Sequence, residues 1–69
     1  MANNTYAITE IVGTSTTNVG DAIQNGIDTA ASSLRNLDWF EVTSVRGSIT
    51  DGKAAQFQVT MKLGFRYDG

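Results

Sequence analysis

Trp39 has the largest flat apolar surface of any side chain in this sequence, and it lies on an unexpected face of its strand. Side chains alternate between the two faces of a β-strand, which places Trp39 with Glu41 and Thr43. The apolar Phe40 and Val42 take the opposite face, which suits a core. An indole on the polar face must be covered by something other than its own core. We expect a neighbouring subunit, a planar ligand, or both to cover it.

Gln58 adds a second group suited to ligand recognition, on the polar face of the following strand. A glutamine amide carries both donors and an acceptor, and aromatic stacking contributes about 0.5–1.5 kcal/mol beyond area burial. Trp39 and Gln58 together suit a planar heterocycle with a polar edge. Arg46 and Arg66 are candidates for a phosphate, because guanidinium groups form charge-assisted hydrogen bonds to it. The alternative is that Trp39 is an interface residue and Gln58 an ordinary strand side chain.

The absence of cysteine and histidine excludes several kinds of chemistry. It rules out disulfides, thiolate metal sites and cysteine nucleophiles, and it removes the commonest transition-metal ligand. Acid–base catalysis at neutral pH would then need a carboxylate or lysine with a perturbed pKa. Glu10 and Glu41 are the carboxylates inside predicted strands, and we interpret them as solvated or ion-paired surface acids.

The hydroxyl-rich segment 13–18 precedes a predicted helix, where backbone N–H groups can hold an anion. It lacks the second glycine and the lysine of a phosphate-binding loop. Asn18 is a good N-cap residue, and Asp21 three residues later completes a variant of the capping box. We therefore interpret the segment as helix capping.

The length of 69 residues and the net charge of −2 limit the class of protein. A domain of this size buries only about 60% of its unfolded surface, and small folds usually add disulfides, metals or oligomerisation. Only oligomerisation fits this composition. Intermixed charges argue against broad nucleic-acid binding, and no apolar run approaches the ~20 residues of a membrane span. We expect a single domain over residues 1–69, a homo-oligomer and, without a signal-peptide pattern, a cytoplasmic protein.

Hydrophobic periodicity predicts a strand, a helix and two further strands. The first strand covers residues 6–12, and turn chemistry follows at 13–17. One helix runs from Asn18 to about Asn36, and its interior Gly26 indicates close approach of another backbone, because glycine there costs up to about 1 kcal/mol relative to alanine. The helix carries an apolar stripe at Val19, Ile23, Ile27, Ala30, Leu34 and Leu37.

Asp51-Gly52 is a strong hairpin signal that joins the last two strands. The second strand runs from Trp39 to about Thr50, and its alternation slips midway. A bulge around Thr43-Ser44 would restore the phase; otherwise both faces of the later part are covered. The third strand, residues 53–67, alternates throughout. We predict an α+β fold in which the apolar face of the sheet packs on the helix, with a long third strand that continues into an assembly.

Four segments of the chain resemble the dodecins, small bacterial and archaeal flavin-binding proteins, and the match covers nearly the full length. They are EIVGTS at 10–15, LDWFEV at 37–42, VRG at 45–47 and FQVTMKLGFR at 57–66. No single segment is as specific as a metal signature. The ordered set, in a chain of this length, is highly specific.

The resemblance implies a protomer whose three-stranded antiparallel sheet wraps its helix, with twelve copies in a hollow shell. It implies flavins bound as antiparallel pairs at two-fold axes, each pair sandwiched between two copies of Trp39. It implies that Gln58 hydrogen-bonds the pyrimidine edge of the isoalloxazine, and that Arg46 and Arg66 lie near the flavin or its phosphate. Val45 belongs to the same implied site, and its bacterial-type segment favours flavin mononucleotide (FMN) over riboflavin or lumichrome.

The implied role is storage or buffering of free flavin and quenching of its photochemistry, which is not an enzymatic activity. A flavin-dependent oxidoreductase is the main alternative, but stacking on both flavin faces leaves none open to a substrate. A third alternative is a structural shell that binds coenzyme A, a ligand of some bacterial members, and no flavin.

Overall fold

The helix and the strands follow one another in the order that the sequence predicts. In a computed structural model that describes residues 3–67, the elements are β1 (Tyr6–Ser15), α1 (Val19–Ala31), β2 (Leu37–Thr50) and β3 (Lys53–Arg66). The strands form one antiparallel sheet in the order β1-β3-β2, so β3 is central. The predicted α+β fold with a β-α-β-β protomer is confirmed. None of the described residues belongs to a helix long and apolar enough to cross a membrane.

β1 extends further than the sequence predicts. Residues 13–15 do not form the predicted turn, because each of them pairs with a residue of β3. Gly13 lets the helix approach: a Cβ there would overlap the carbonyl oxygen of Ala22 and lie 3.3 Å from the Cα of Gly26. The close backbone approach predicted for Gly26 is therefore confirmed.

α1 begins as predicted but ends earlier. The Asn18 side chain accepts a hydrogen bond from the backbone N–H of Asp21 at 2.7 Å, which confirms Asn18 as the N-cap. The helix ends at Ala31, so the prediction of an end near Asn36 is wrong. The hydroxyl of Ser32 donates back to a carbonyl of the last turn, and Asn36 has a φ of 63° that turns the chain into β2.

The core lies between α1 and two of the three strands, β1 and β3. Val59, Met61 and Leu63 of β3 are at most 1% exposed under the helix. In β2, Phe40 and Val42 are in register with Leu63 and Met61, yet they are 47% and 38% exposed. α1 packs mainly on β1 and β3. The predicted packing of the sheet on the helix therefore holds for β3 and is wrong for β2.

The β2–β3 hairpin has both the turn and the bulge that the sequence predicts. Asp51 and Gly52 have positive φ angles of 53° and 75°, as a two-residue type I′ turn requires. A register shift between Val42 and Ser44 is the predicted bulge, and it restores the alternation of β2. The long hairpin gives the molecule a longest dimension of 56 Å.

Candidate functional site

One face of the sheet is not covered by α1, and Trp39 lies on it as the sequence predicts. We call it the open face. Trp39 pairs with Gly64 and Arg46 pairs with Gln58, so both β2 side chains lie on this face. In β3 the open face is formed by alternate residues, namely Gln56, Gln58, Thr60, Lys62, Gly64 and Arg66.

The indole of Trp39 lies across the backbone of β3 at Gly64. A Cβ placed on Gly64 would overlap Cε2, Cζ2 and Cδ2 of the indole almost equally, which puts Gly64 under the ring face and not at its edge. Gly64 is buried, whereas Trp39 is 41% exposed. One face of the indole is thus occupied by the strand, and the other is left for a ligand or a neighbouring chain.

Tyr6 contacts the indole, and Arg66 is the next residue of β3 on the same face. The rings of Tyr6 and Trp39 meet edge to face, with centroids 5.2 Å apart and planes inclined at 64°. Tyr6 of β1 is in register with Arg66 of β3, two residues beyond Gly64 on the same face. We call Tyr6, Trp39, Gly64 and Arg66 the indole cluster.

Gln58 and Arg46 form a second group on the open face. Gln58 is half-buried, and its Nε2 donates a hydrogen bond to Oε1 of Gln56 at 3.2 Å. Arg46 of β2 is in register with Gln58 and is exposed. We call Arg46, Gln56 and Gln58 the amide cluster. Its guanidinium and amide groups can bind the polar edge or the phosphate of a ligand.

A single protomer does not bring the two clusters together. Trp39 is in register with Gly64, six positions along β3 from Gln58. At about 3.3 Å per residue this separation is roughly 20 Å. The hairpin register therefore places Gln58 opposite Arg46 and not beside Trp39 within one chain. Within one chain, the two side chains therefore lie on separate parts of the open face.

Val45 lies away from the open face. It is in register with Val59, which belongs to the face that α1 partly covers, and it remains 53% exposed. Its side chain is therefore not brought together with Arg46 or Gln58, although the three residues are close along the sheet. Only the backbone of Val45 adjoins the amide cluster.

The other polar groups singled out by the sequence have structural surroundings. Glu10 and Glu41 are exposed on the open face, where both are in register with Lys62. Before the helix, Ser15 Oγ accepts a hydrogen bond from the backbone N–H of Thr17 at 2.9 Å, which fits helix capping. Between residues 3 and 67 no group of carboxylates could hold a metal ion.

Gly64 and Tyr6 belong to the site but were not among the residues predicted from the sequence. A glycine inside a regular strand weakens that strand and often marks close approach of another group, so the signal at Gly64 was present. Tyr6 gave no comparable signal. Its contact with Trp39 depends on the sheet order, which brings β1 to the other side of β3 from β2.

The fold and the open face define a class of protein: a small α+β chain with a stacking surface and a separate hydrogen-bonding surface on one sheet. Comparison with protein families places it more narrowly. The family model described as Dodecin matches residues 5–68. The chain belongs to the dodecin family, as the resemblance of its sequence motifs predicts.

Individual relatives agree with this assignment. A dodecin of Thermus thermophilus is 41% identical over 63 residues, which cover 91% of each chain. The solved dodecin from Streptomyces davaonensis is 57% identical with a TM-score of 0.94, and the match covers 99% of this chain and 100% of that one. The Streptomyces coelicolor dodecin is 54% identical with a TM-score of 0.94, covering 100% and 99%. Solved forms of the Thermus dodecin include one with a tryptophan changed to phenylalanine and others with an arginine changed to alanine.

Proposed function

We propose that this protein binds flavin, preferably FMN, and stores it as stacked pairs between subunits while quenching its photochemistry. One observation carries the proposal: the indole of Trp39 lies with one face on Gly64 and leaves 41% of its surface exposed on a sheet face outside the core. Such an indole is a ready stacking surface for a planar ring system. Membership of the dodecin family supports the same reading.

The separation of the two clusters supports binding between copies of the chain. The roughly 20 Å that separates Trp39 from Gln58 along β3 exceeds the length of one isoalloxazine ring system. A flavin that stacks on Trp39 of one copy would therefore be bound at its polar edge by Gln58 of another. This arrangement requires an oligomer, and we propose the twelve-copy shell that the family resemblance implies.

Exposed apolar side chains on both sheet faces support assembly. Ile8 and Val12 of β1 are 59% and 57% exposed on the open face, and Phe40 and Val45 of β2 are similarly exposed on the other. An isolated chain of this size would leave an unusually large share of its apolar surface in water. Burial of this surface against other copies would offset the marginal core.

The residues of the open face fit a flavin in chemical type. Trp39 would orient the ring system by stacking, and Gln58 would donate to and accept from its pyrimidine edge. Arg46 and Arg66 would hold the phosphate of FMN in charge-assisted hydrogen bonds. Flavin supplies the light-absorbing group, and the adjoining indole allows its excitation to be lost by electron transfer. The replaced tryptophan and arginines of the Thermus dodecin are of the same residue types.

A storage role suits this arrangement better than catalysis. A flavin stacked between an indole and a second flavin offers no free face for hydride exchange with a substrate. An oxidoreductase would need that face open and a group placed to hold the substrate. Coenzyme A binding and a cytoplasmic location stay predictions that rest on the family resemblance and on composition.

The test is to identify the molecule that the purified protein carries. We expect a yellow, weakly fluorescent protein that releases FMN on acid treatment, as identified by chromatography, and light scattering that gives a mass near that of twelve chains. A colourless protein that also fails to quench added FMN or riboflavin would refute flavin binding. A monomer or dimer at micromolar concentration would refute the proposed assembly.

A further inference from the structure

We infer that Gly64 and Tyr6 are positioning residues that form a seat for the indole of Trp39. In this seat, Gly64 sets how far the indole stands above the sheet, and Tyr6 sets its tilt. The statement that a ligand stacks on this indole rests on the proposed function. The seat itself is a feature of the flavin-free protein and can be measured without a ligand.

The absence of a side chain at Gly64 sets the height of the indole. Gly64 lies within β3 and is not among the glycines with positive φ, so its backbone conformation does not require glycine. Glycine inside a strand costs roughly 0.5–1 kcal/mol relative to alanine, which calls for a packing reason. The indole provides that reason, because a Cβ at this position would overlap three atoms of the Trp39 ring system.

An alanine at this position would move the stacking surface. Restoring ordinary carbon–carbon contact between the new methyl and the indole requires a shift of about 1 Å or more. The atoms in conflict belong to a rigid ring and not to the end of a flexible chain, so the whole indole of Trp39 must rise or rotate. Either movement takes it into the space that a stacked ring would occupy.

Tyr6 restrains the indole from the side. The Tyr6 ring meets the Trp39 ring edge to face, with centroids 5.2 Å apart. Tyr6 belongs to β1, whereas Gly64, which lies beneath the indole, belongs to β3. Contacts from two strands leave little freedom for rotation about the side-chain bonds of Trp39. A ring fixed in this way loses less entropy when a ligand stacks on it, which favours binding.

The experiment compares three variants of the full-length protein with the parent. Gly64→Ala adds a methyl group beneath the indole, and Tyr6→Leu removes the aromatic ring that contacts it. Gly20→Ala is the matched control. A Cβ at Gly20 has only an ordinary contact, 3.5 Å to the Asn18 side chain. Trp39 is the single tryptophan, and its longest-wavelength circular dichroism band lies outside tyrosine absorption. That band and the tryptophan fluorescence of the flavin-free protein therefore report on the indole directly, also in the variant that lacks Tyr6. FMN titration and light scattering follow on the same samples.

We expect Gly64→Ala to change the tryptophan circular dichroism and to weaken FMN binding about tenfold or more, with the assembled mass unchanged. Tyr6→Leu should reduce the dichroic signal and weaken binding about threefold to tenfold, the range expected for loss of one aromatic pair. Gly20→Ala should match the parent in both measurements.

Unchanged tryptophan signals in Gly64→Ala and Tyr6→Leu would refute the proposed seat, whatever the FMN affinity of the variants. If the parent binds no flavin, the proposed function fails, but altered tryptophan signals in the variants would still support the seat. If Gly64→Ala does not assemble, Tyr6→Leu decides, because Tyr6 is 41% exposed and its loss should not prevent folding. Parent-like FMN affinity in an assembled variant with a displaced indole would refute the link between seat and binding.

Discussion

The two faces of β3 differ sharply in what covers them. On one face, Val59, Met61 and Leu63 are buried under α1. On the other, Gln58 is half-buried in the amide cluster and Gly64 carries the indole of Trp39. One strand thus holds the core of the protomer on one side and the candidate site on the other. Because neighbouring residues point in opposite directions, substitutions one position apart should affect different properties.

β2 shows what happens where the helix does not reach. Phe40 and Val42 lie on the same face as the buried residues of β3, yet both are exposed because one helix covers only two strands. The sequence pattern of a core strand is present without a core partner in the same chain. Such a pattern is expected where another copy completes the packing.

The largest effect on folding should come from the buried face of β3. Met61 is 0% exposed, and its terminal methyl lies against Gly26 of the helix. Met61→Ala should lower the free energy of unfolding by about 2–5 kcal/mol, because it removes apolar contacts and leaves a cavity. The matched control is Thr60→Ala on the open face, which should cost much less. Urea denaturation at equal protein concentrations checks this, since assembly also contributes to stability. Equal losses in both variants would break the contrast between the faces.

Trp39→Ala should have the largest effect on ligand binding and a smaller one on folding. Loss of the stacking surface should weaken flavin binding more than about tenfold and abolish quenching, while the assembly persists. Phe40→Ala is the contrasting variant: it removes the neighbouring aromatic from the opposite face, where we propose contact with another copy, so any loss of flavin binding should accompany a loss of assembled mass. Flavin fluorescence titration and light scattering on one sample separate the two roles. If Trp39→Ala instead falls apart into smaller species, the indole is an interface residue.

Gln58→Leu should weaken flavin binding by roughly 1–3 kcal/mol, because it leaves polar atoms of the buried ligand edge without partners. Gln56→Leu removes only the acceptor that holds the Gln58 amide at 3.2 Å, so its effect should be smaller. Isothermal titration of both variants with riboflavin makes the comparison without a phosphate. Unchanged affinity in Gln58→Leu would mean that the side chain serves only the sheet or an interface.

The smallest effects should come from the two exposed arginines. Arg46→Ala and Arg66→Ala should each weaken FMN binding by about 1 kcal/mol and leave riboflavin nearly unchanged, because exposed charge pairs are screened by solvent. The FMN effect should shrink as salt is added. Titration with both ligands at two ionic strengths provides the measurement. Equal losses for FMN and riboflavin would argue against a phosphate contact.

Local chemistry determined much of this fold, and those parts could be read from the sequence. The Asn18 cap, the Asp51-Gly52 turn and the bulge after Val42 each depend on residues close together in the chain. Strand alternation likewise was enough to place Trp39 on the face opposite the core. The sequence motifs also pointed to the family to which the chain belongs.

Other features depend on contacts between residues far apart in sequence, and only the tertiary structure decided them. The helix stripe continues to Leu37, but the helix stops at Ala31, and the carbonyl of Asn36 instead accepts a hydrogen bond from the backbone N–H of Arg66 in β3 at 3.0 Å. The hairpin register, set by the turn and three register shifts, put Trp39 over Gly64 and about 20 Å from Gln58. Periodicity assigns a side chain to a face of a strand, but its neighbours across that face follow from register and sheet order, which no local pattern specifies.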